Sequence, residues 1–353
     1  MKIKIAKSDY DKVLALPKKT REKPKKPNIL FRTLLKVVST PDLIATRFKC
    51  RKIGMERLGK NEPCLILMNH SSFIDLKIAS SVLYPRPFNI VCTSDGFVGK
   101  KWLMRNLGCI PTQKFVTDIA LVRDMVYAVK TLKTSKDELN AIIAEKFSFD
   151  NFRWQQETKT CIKEKFRADY LNRVLYKCPD CLTEGEMEGK GTTLSCKHCG
   201  KKYELTEYGF LEAHEGETKF DHVPDWFAWQ RTCVREEIER GEYGLDVPVD
   251  IYVLADTKKL YNIGEGRLVH SFEGFHLTGC DGKLDYMQKT LSSYSVNSDY
   301  YWYEIGDMIS IGGGKMLYYC FPKVTGDFVA KTRLAAEELY KIQKADRDTR
   351  GKQ

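Results

Sequence analysis

The sequence predicts an α/β region, then a small cysteine-rich module, then a β-rich domain that ends in a helix. Three observations support this. Strand-like and helix-like patterns alternate in the first part, two Cys-x2-Cys pairs follow, and short β-type runs separated by Gly and Asp fill the last part. The predicted boundaries are a basic arm at 1–27, the α/β region at 28–134, a helical connector at 135–177, the cysteine module at 178–210, a second helical connector at 211–246 and the β-rich domain at 247–353.

The basic arm holds ten Lys or Arg and three Asp or Glu, so it carries most of the net charge of +11. The stretch after it has apolar residues at helical spacing. They are Ile29, Leu30, Leu34, Leu35 and Val38. A basic arm before an apolar helix face is typical of proteins that bind an anionic membrane. The alternative is a solvated tail followed by an ordinary core helix, because amphipathicity alone does not distinguish a bilayer from a protein core.

The chain is expected to be cytoplasmic and peripheral on the inner face of the cell membrane. The aliphatic run at 64–68 is far short of the roughly 20 residues that a spanning helix needs. The N-terminus lacks a continuous apolar core and a small-residue cleavage site, so we expect no secretory signal. In a reducing compartment, the twelve cysteines indicate metal ligands and buried thiols rather than disulfides.

Six elements are predicted in the α/β region from periodicity and turn residues. In order they are a strand at 64–68, a helix from about Asp75 to Leu83, a strand in "NIVCTS", a helix in "GKKWLMRNL", a turn at "GCIPTQK" and a helix from about Asp118 to Lys133.

Further helices are predicted on both sides of the cysteine module. Ser135 and Glu138 have capping-box spacing, and a helix that starts near Pro224 should stop at Gly241. Beyond Val247 four short β-type runs precede a terminal helix. Several strands followed by one helix resemble a pleckstrin-homology-like barrel, a resemblance of topology that implies no function.

The cysteine module contains Cys178-x2-Cys181 and, after fourteen residues, Cys196-x2-Cys199. Two close thiolate pairs can supply the tetrahedral four-sulfur shell that zinc favours. A shell filled by protein leaves no position for water, so the predicted zinc is structural. Chance clustering of cysteines is the alternative. Binding of nucleic acid, common among zinc ribbons, is not favoured because the module lacks a strong basic and aromatic face.

A polar pair, His70 and Asp75, follows the first predicted strand in "NHSSFID". Asn69 precedes the histidine, and the small Ser71 and Ser72 leave its imidazole accessible. A histidine base needs its second ring nitrogen held by an acceptor, and a carboxylate one turn into the next helix can do this. The alternative is a hydrogen-bonded loop histidine, with Asp75 at a helix N-terminus where negative charge is favourable anyway.

These residues carry a resemblance to a family. "NHSSFID" resembles the first motif, Asn-His-x4-Asp, of the glycerolipid acyltransferases that include 1-acylglycerol-3-phosphate acyltransferase. "GCIPTQK" is similar to their second motif, with Lys114 where the family usually has Arg. The resemblance covers about residues 40–134.

The resemblance implies an acyl transfer. His70 would take the proton from a hydroxyl of a lysophosphatidic-acid-like acceptor, whose oxygen would attack an acyl thioester of coenzyme A or acyl carrier protein. Lys114 would hold the acceptor phosphate as a compact cation. The substrate-binding residues it implies are Asn69, Ser71, Ser72, Gly108 and Lys114.

The chain departs from the family at the third motif, a strand ending in Phe-Pro-Glu-Gly-x-Arg that also grips the acceptor phosphate. The motif is absent from the sequence, since "VYAVKTLKT" runs directly into "SKDELNAII". Either an internal segment is missing between Lys133 and Lys136, or the chain is a lipid- or protein-binding module that keeps the fold without catalysis. Both interpretations stay open from the sequence.

Overall fold

The fold is given by a computed structural model that describes residues 3–16, 22–55, 58, 59, 62, 64–68, 74–116, 122, 135–256, 258–314, 316–324, 326 and 328–350. Within these ranges the helices are α1 (Tyr10–Leu14), α2 (Ile29–Ala45), α3 (Asp75–Leu83), α4 (Lys101–Asn106), α5 (Lys136–Phe147), α6 (Asn151–Thr158), α7 (Val223–Glu239) and α8 (Phe328–Arg350). No helix in these ranges has both the length and the apolar character needed to cross a bilayer.

The strands of the described ranges form three sheets. They are β1 (Ile5–Lys7), β2 (Ile90–Thr93), β3 (Cys109–Thr112), β4 (Met187–Lys190), β5 (Thr193–Cys196), β6 (Lys202–Leu205), β7 (Leu211–Ala213), β8 (Leu245–Val253), β9 (Leu260–Ser271), β10 (Gly274–Gly279), β11 (Leu284–Lys289), β12 (Asn297–Trp302), β13 (Gly306–Gly312) and β14 (Leu317–Pro322).

The β-rich domain is an antiparallel sheet in the order β11-β10-β9-β8-β14-β13-β12. Strand β8 alternates buried and more exposed side chains, so its apolar residues line one face. Helix α8 packs Leu334 and Leu339 inward. The predicted β-rich domain with a terminal helix is therefore confirmed. Strands β11, β12 and β13 were not predicted, because the first two are edge strands with many polar or exposed side chains and the third is bounded by glycines.

Part of the basic arm belongs to this domain. Strand β1 pairs in parallel with β9, and Val13 of α1 is buried in the same apolar core as β8. Residues 3–16 are therefore held by contacts with residues more than 200 positions away.

The α/β region has one described strand pair, in which β2 and β3 run parallel from Ile90 opposite Cys109 to Thr93 opposite Thr112. The predicted strand in "NIVCTS" and the helices at α3 and α4 are confirmed. The predicted turn at "GCIPTQK" is wrong in its first part, because these residues form strand β3. Within β3 the buried Ile110 pairs with β2. Pro111, which has no N–H to donate, is exposed.

The predicted strand at 64–68 is also wrong, since these residues form no regular structure. Ile66, Leu67 and Met68 are 45%, 46% and 41% exposed, so the apolar run lacks the cover that would make it a buried strand. Of the helix predicted from about Asp118 to Lys133, only Val122 is among the described residues, and it is helical.

The two helices predicted on either side of the cysteine module, α5 and α7, are confirmed, whereas α6 was not predicted. The Ser135 hydroxyl accepts a hydrogen bond from the Glu138 N–H at 3.3 Å, which caps α5. Pro224 lies in the first turn of α7, and Gly241 follows this helix with a φ of 72°.

A ring of four charges joins the cysteine module to α7 and α8. Lys177 lies 3.1 Å from Glu184 and 3.3 Å from Glu237, and Lys331 lies 2.7 Å from each of the same carboxylates. The side chains of Lys177 and Glu237 are only 13% and 14% exposed. Each charge thus has two partners of opposite sign.

Candidate active site and metal centre

The four cysteines of the module come together as predicted. Their sulfur atoms all lie within 4.8 Å of one another, with 3.8 Å between Cys178 and Cys199 and 3.7 Å between Cys181 and Cys196. Tetrahedral coordination with metal–sulfur bonds of about 2.3 Å places the sulfurs roughly 3.8 Å apart. The cluster therefore has the dimensions to hold one metal ion such as zinc.

The two halves of this cluster are equivalent turns. The carbonyl of Cys178 accepts from the Leu182 N–H at 3.0 Å, and that of Cys196 accepts from the Gly200 N–H at 2.9 Å. Leu182 and Gly200 both have a positive φ, near 64° and 77°. Each turn thus folds back and directs two thiols toward the centre of the cluster.

Neighbouring side chains hold the first turn in place. The Trp226 indole, fully buried in α7, donates a hydrogen bond to the Lys177 carbonyl at 2.9 Å, and the Tyr203 hydroxyl donates to Asp180. Burial raises the pKa of the Cys178 and Cys196 thiols. A bound cation would offset this effect, because it stabilises the thiolate directly.

The predicted catalytic pair is only partly described. Asp75 is the first residue of α3 and lies in its first turn. His70, with its neighbours Asn69, Ser71 and Ser72, lies outside the described residues. The pairing of His70 with Asp75 therefore stays a prediction.

Gly108 and Lys114 flank β3 at its two ends. Gly108 has a φ of 82°, and a Cβ there would lie 3.0 Å from both the Phe88 carbonyl oxygen and Pro27 Cδ. Both the positive φ and these close contacts favour glycine at this backbone position. Lys114 is exposed in the turn that follows β3.

Lys114 lies at the end of the strand pair where ligands of α/β proteins commonly bind. Since β2 and β3 are parallel, their carboxyl ends share one edge. The Ser94 hydroxyl, just after β2, donates to the Thr112 carbonyl at 3.0 Å and so ties the two ends together. Binding outside the carboxyl ends of parallel strands is the general pattern of such sheets.

This edge also makes contacts with the β-rich domain that the sequence did not predict. Asp95 accepts a hydrogen bond from the Tyr303 hydroxyl at 2.9 Å, and the carbonyl of Phe115 accepts one from Ser293 at 2.9 Å. The partners are 208 and 178 residues apart in sequence, and no local pattern marks them.

Helix α2 turns an apolar face outward, which we call the α2 apolar face. Its most exposed members are Leu30, Leu34, Val37, Val38 and Ile44. Of the residues predicted for a helix face, Ile29, Leu30, Leu34 and Val38 are exposed and Leu35 is partly buried.

The opposite side of α2 packs against α3, where Ser39 and Leu43 are buried and the hydroxyls of Ser39 and Ser80 lie 3.3 Å apart. Trp102 of α4, 69% exposed, contacts Phe31 of α2 edge-on with 5.3 Å between ring centroids. The α2 apolar face is thus not the core face of this helix.

Comparison with known proteins identifies one domain of the chain. A family model described as Acyltransferase matches residues 49–145, a range that contains both the His70 and the Lys114 segments and ends within α5. Comparison with curated proteins and with solved structures found no match.

Proposed function

We propose, on the premise that residues 49–145 are an acyltransferase domain, that the chain serves glycerolipid synthesis by moving an acyl group from a thioester to a lysophosphatidic-acid-like acceptor. The single observation that carries this proposal is the family match, which spans both motifs of the site. The donor is acyl coenzyme A or an acyl carrier protein.

In the proposed reaction, His70 accepts the proton of the acceptor hydroxyl while Asp75 holds the other ring nitrogen. The acceptor oxygen bonds to the thioester carbonyl carbon and the carbon–sulfur bond breaks. The imidazolium then returns its proton to the leaving thiolate. Asn69, Ser71 and Ser72, the sequence neighbours of His70, are proposed to contribute to substrate binding.

Lys114 is proposed to bind the acceptor phosphate. Lys114→Ala is expected to raise the KM for lysophosphatidic acid with little change in kcat, because a phosphate contact made equally in the ground and transition states is uniform binding. Steady-state kinetics with varied acceptor measure this in a form with a third-motif strand inserted between Lys133 and Lys136. Lys202→Ala, which alters an exposed lysine of β6, is the matched control. A fall in kcat at an unchanged KM would contradict the assignment.

The absence of the third motif favours a second candidate, a non-catalytic module that binds lipid or protein. A thioester-release assay with lysophosphatidic acid separates the two. Under the first candidate the 353-residue chain shows little turnover, and a third-motif strand inserted between Lys133 and Lys136 brings activity. Under the second candidate, the insertion leaves the chain inactive.

We further propose that the four-cysteine cluster binds one zinc ion with a structural role. Its four thiolates would complete a tetrahedral shell and leave no open position for substrate or water. The metal would stabilise the fold of the module rather than take part in acyl transfer.

We propose that the α2 apolar face contacts an anionic bilayer from the cytoplasmic side. Residue Glu22 of the basic arm pairs with Lys101 and Arg105 of α4, each at 2.6 Å, and α4 in turn contacts α2 through Trp102 and Phe31. The neighbouring Lys25 and Lys26 are exposed. An apolar helix face that follows exposed lysines suits the interface of a membrane that carries negative headgroups.

The chain is expected to sediment with vesicles that contain anionic lipid, and less so at high salt. The double variant Lys25→Ser and Lys26→Ser should weaken binding by roughly thirtyfold, since each lysine near such a surface contributes about 1 kcal/mol. Deleting the whole arm is a poorer test, because it also removes β1 and Val13 from the β-rich domain. Equal binding to neutral and anionic vesicles would contradict the electrostatic part of this proposal.

A further inference from the structure

The β-rich domain contacts the edge of the acyltransferase domain that carries Lys114. We call residues 113–116 the Lys114 loop. The Phe115 carbonyl accepts from the Ser293 hydroxyl at 2.9 Å, and the guanidinium of Arg333 lies 6.0 Å from the centre of the Phe115 ring. Val116 packs against the apolar cluster that contains Trp302. Both residues after Lys114 are thus held by the other domain.

A second contact supports the neighbouring strand end. Tyr303, in the turn between β12 and β13, donates a hydrogen bond to Asp95 in the 3-10 helix that follows β2. Its ring lies edge-on to Trp302 at 4.5 Å between centroids. The domain therefore contacts the segments that leave β2 and β3 at their shared carboxyl edge.

Both sides of this contact have unusual backbone. Phe115, Tyr303 and Glu304 have φ values of 57°, 50° and 66°, which non-glycine residues rarely adopt. Such conformations persist when surrounding contacts hold them, and they cluster at functional sites. Here the left-handed residues lie at the contact between the two domains.

We propose that the β-rich domain is a positioning element for the acceptor-phosphate site, with Ser293 and Tyr303 as positioning residues that act through Lys114. This inference rests on the proposed role of Lys114. The Ser293 hydroxyl fixes the carbonyl of Phe115, the residue after Lys114, and the Tyr303 hydroxyl fixes the 3-10 helix that follows β2. The backbone that carries the Lys114 side chain is therefore held in place. The appended domain then contributes to phosphate recognition without contacting the phosphate.

Hydrogen exchange of the full chain tests the positioning by itself. The double variant Ser293→Ala and Tyr303→Phe removes two hydroxyls and keeps both backbones and the aromatic ring. Amides of 94–97 and 113–116 are expected to exchange about three- to tenfold faster, since each lost bond opens the contact. The matched control is Ser292→Ala with Tyr301→Phe, which alters exposed neighbours. Exchange equal to that of the unaltered chain would overturn the proposal.

Binding of a short-chain lysophosphatidic acid tests whether the effect passes through Lys114. The Ser293→Ala, Tyr303→Phe variant should bind it about three- to tenfold more weakly, and should add no further loss in a Lys114→Ala background. Additive losses would overturn the proposal, because they would show an effect independent of Lys114. No binding by the unaltered chain would instead overturn the proposed function, and hydrogen exchange would still decide the positioning.

Discussion

His70→Ala is expected to lower the rate of acyl transfer by about 10²-fold or more, because the acceptor hydroxyl loses its general base. The comparison is made in the form with a third-motif strand inserted between Lys133 and Lys136, where turnover is expected. Asp75→Asn should also be severe, since an amide can hold the wrong tautomer of the ring and cannot stabilise the imidazolium. Thioester release in the presence of lysophosphatidic acid measures both changes.

The control for this experiment is His276→Ala, which alters a partly exposed histidine of β10 in the other domain. It should leave the rate unchanged. Activity that is indifferent to His70→Ala would disprove the assigned base. Robust turnover by the 353-residue chain itself would disprove the role given to the third motif.

Cys196→Ser is expected to abolish stable zinc binding and to unfold the cysteine module locally. The purified chain should contain about one zinc, and structural zinc sites of this kind contribute apparent binding free energies of roughly 10–16 kcal/mol, which couple directly to folding. Metal analysis by mass spectrometry gives the stoichiometry. The α/β region around Asp75 should be nearly unchanged, because it shares no ligand with the cluster.

Cys161→Ser is the matched control, since this exposed cysteine lies outside the cluster. Zinc content should stay at one per chain in that variant. Acid should also release the metal, because protons compete for the thiolates. Undiminished zinc in Cys196→Ser, or no zinc in the unaltered chain, would contradict the site.

The sequence predicted correctly those features that depend on residues close to one another in the chain. The Cys-x2-Cys spacing placed four thiols at one point, and Ser135 with Glu138 marked the start of α5 correctly. Each depends on residues a few positions apart, or on a metal shell whose ligands come from two short turns.

Features that depend on distant partners could not be predicted in this way. The run at 64–68 has the composition of a buried strand, yet a strand also needs a neighbour, and composition does not supply one. Likewise, β1 pairs with a strand from the other end of the chain, and Val13 packs in the core of that sheet. Neither the sequence around Tyr303 nor the sequence around Asp95 predicts the hydrogen bond between them.

The charge ring of Lys177, Glu184, Glu237 and Lys331 limits how the chain can be dissected. A truncation at 210/211 would separate Lys177 and Glu184 from Glu237 and Lys331, so each of the four charges would lose one of its two partners. The predicted boundary at 210/211 is therefore a poor place to cut. The module, α7 and α8 share this ring, so a fragment that keeps it intact begins before Lys177 and continues through α8.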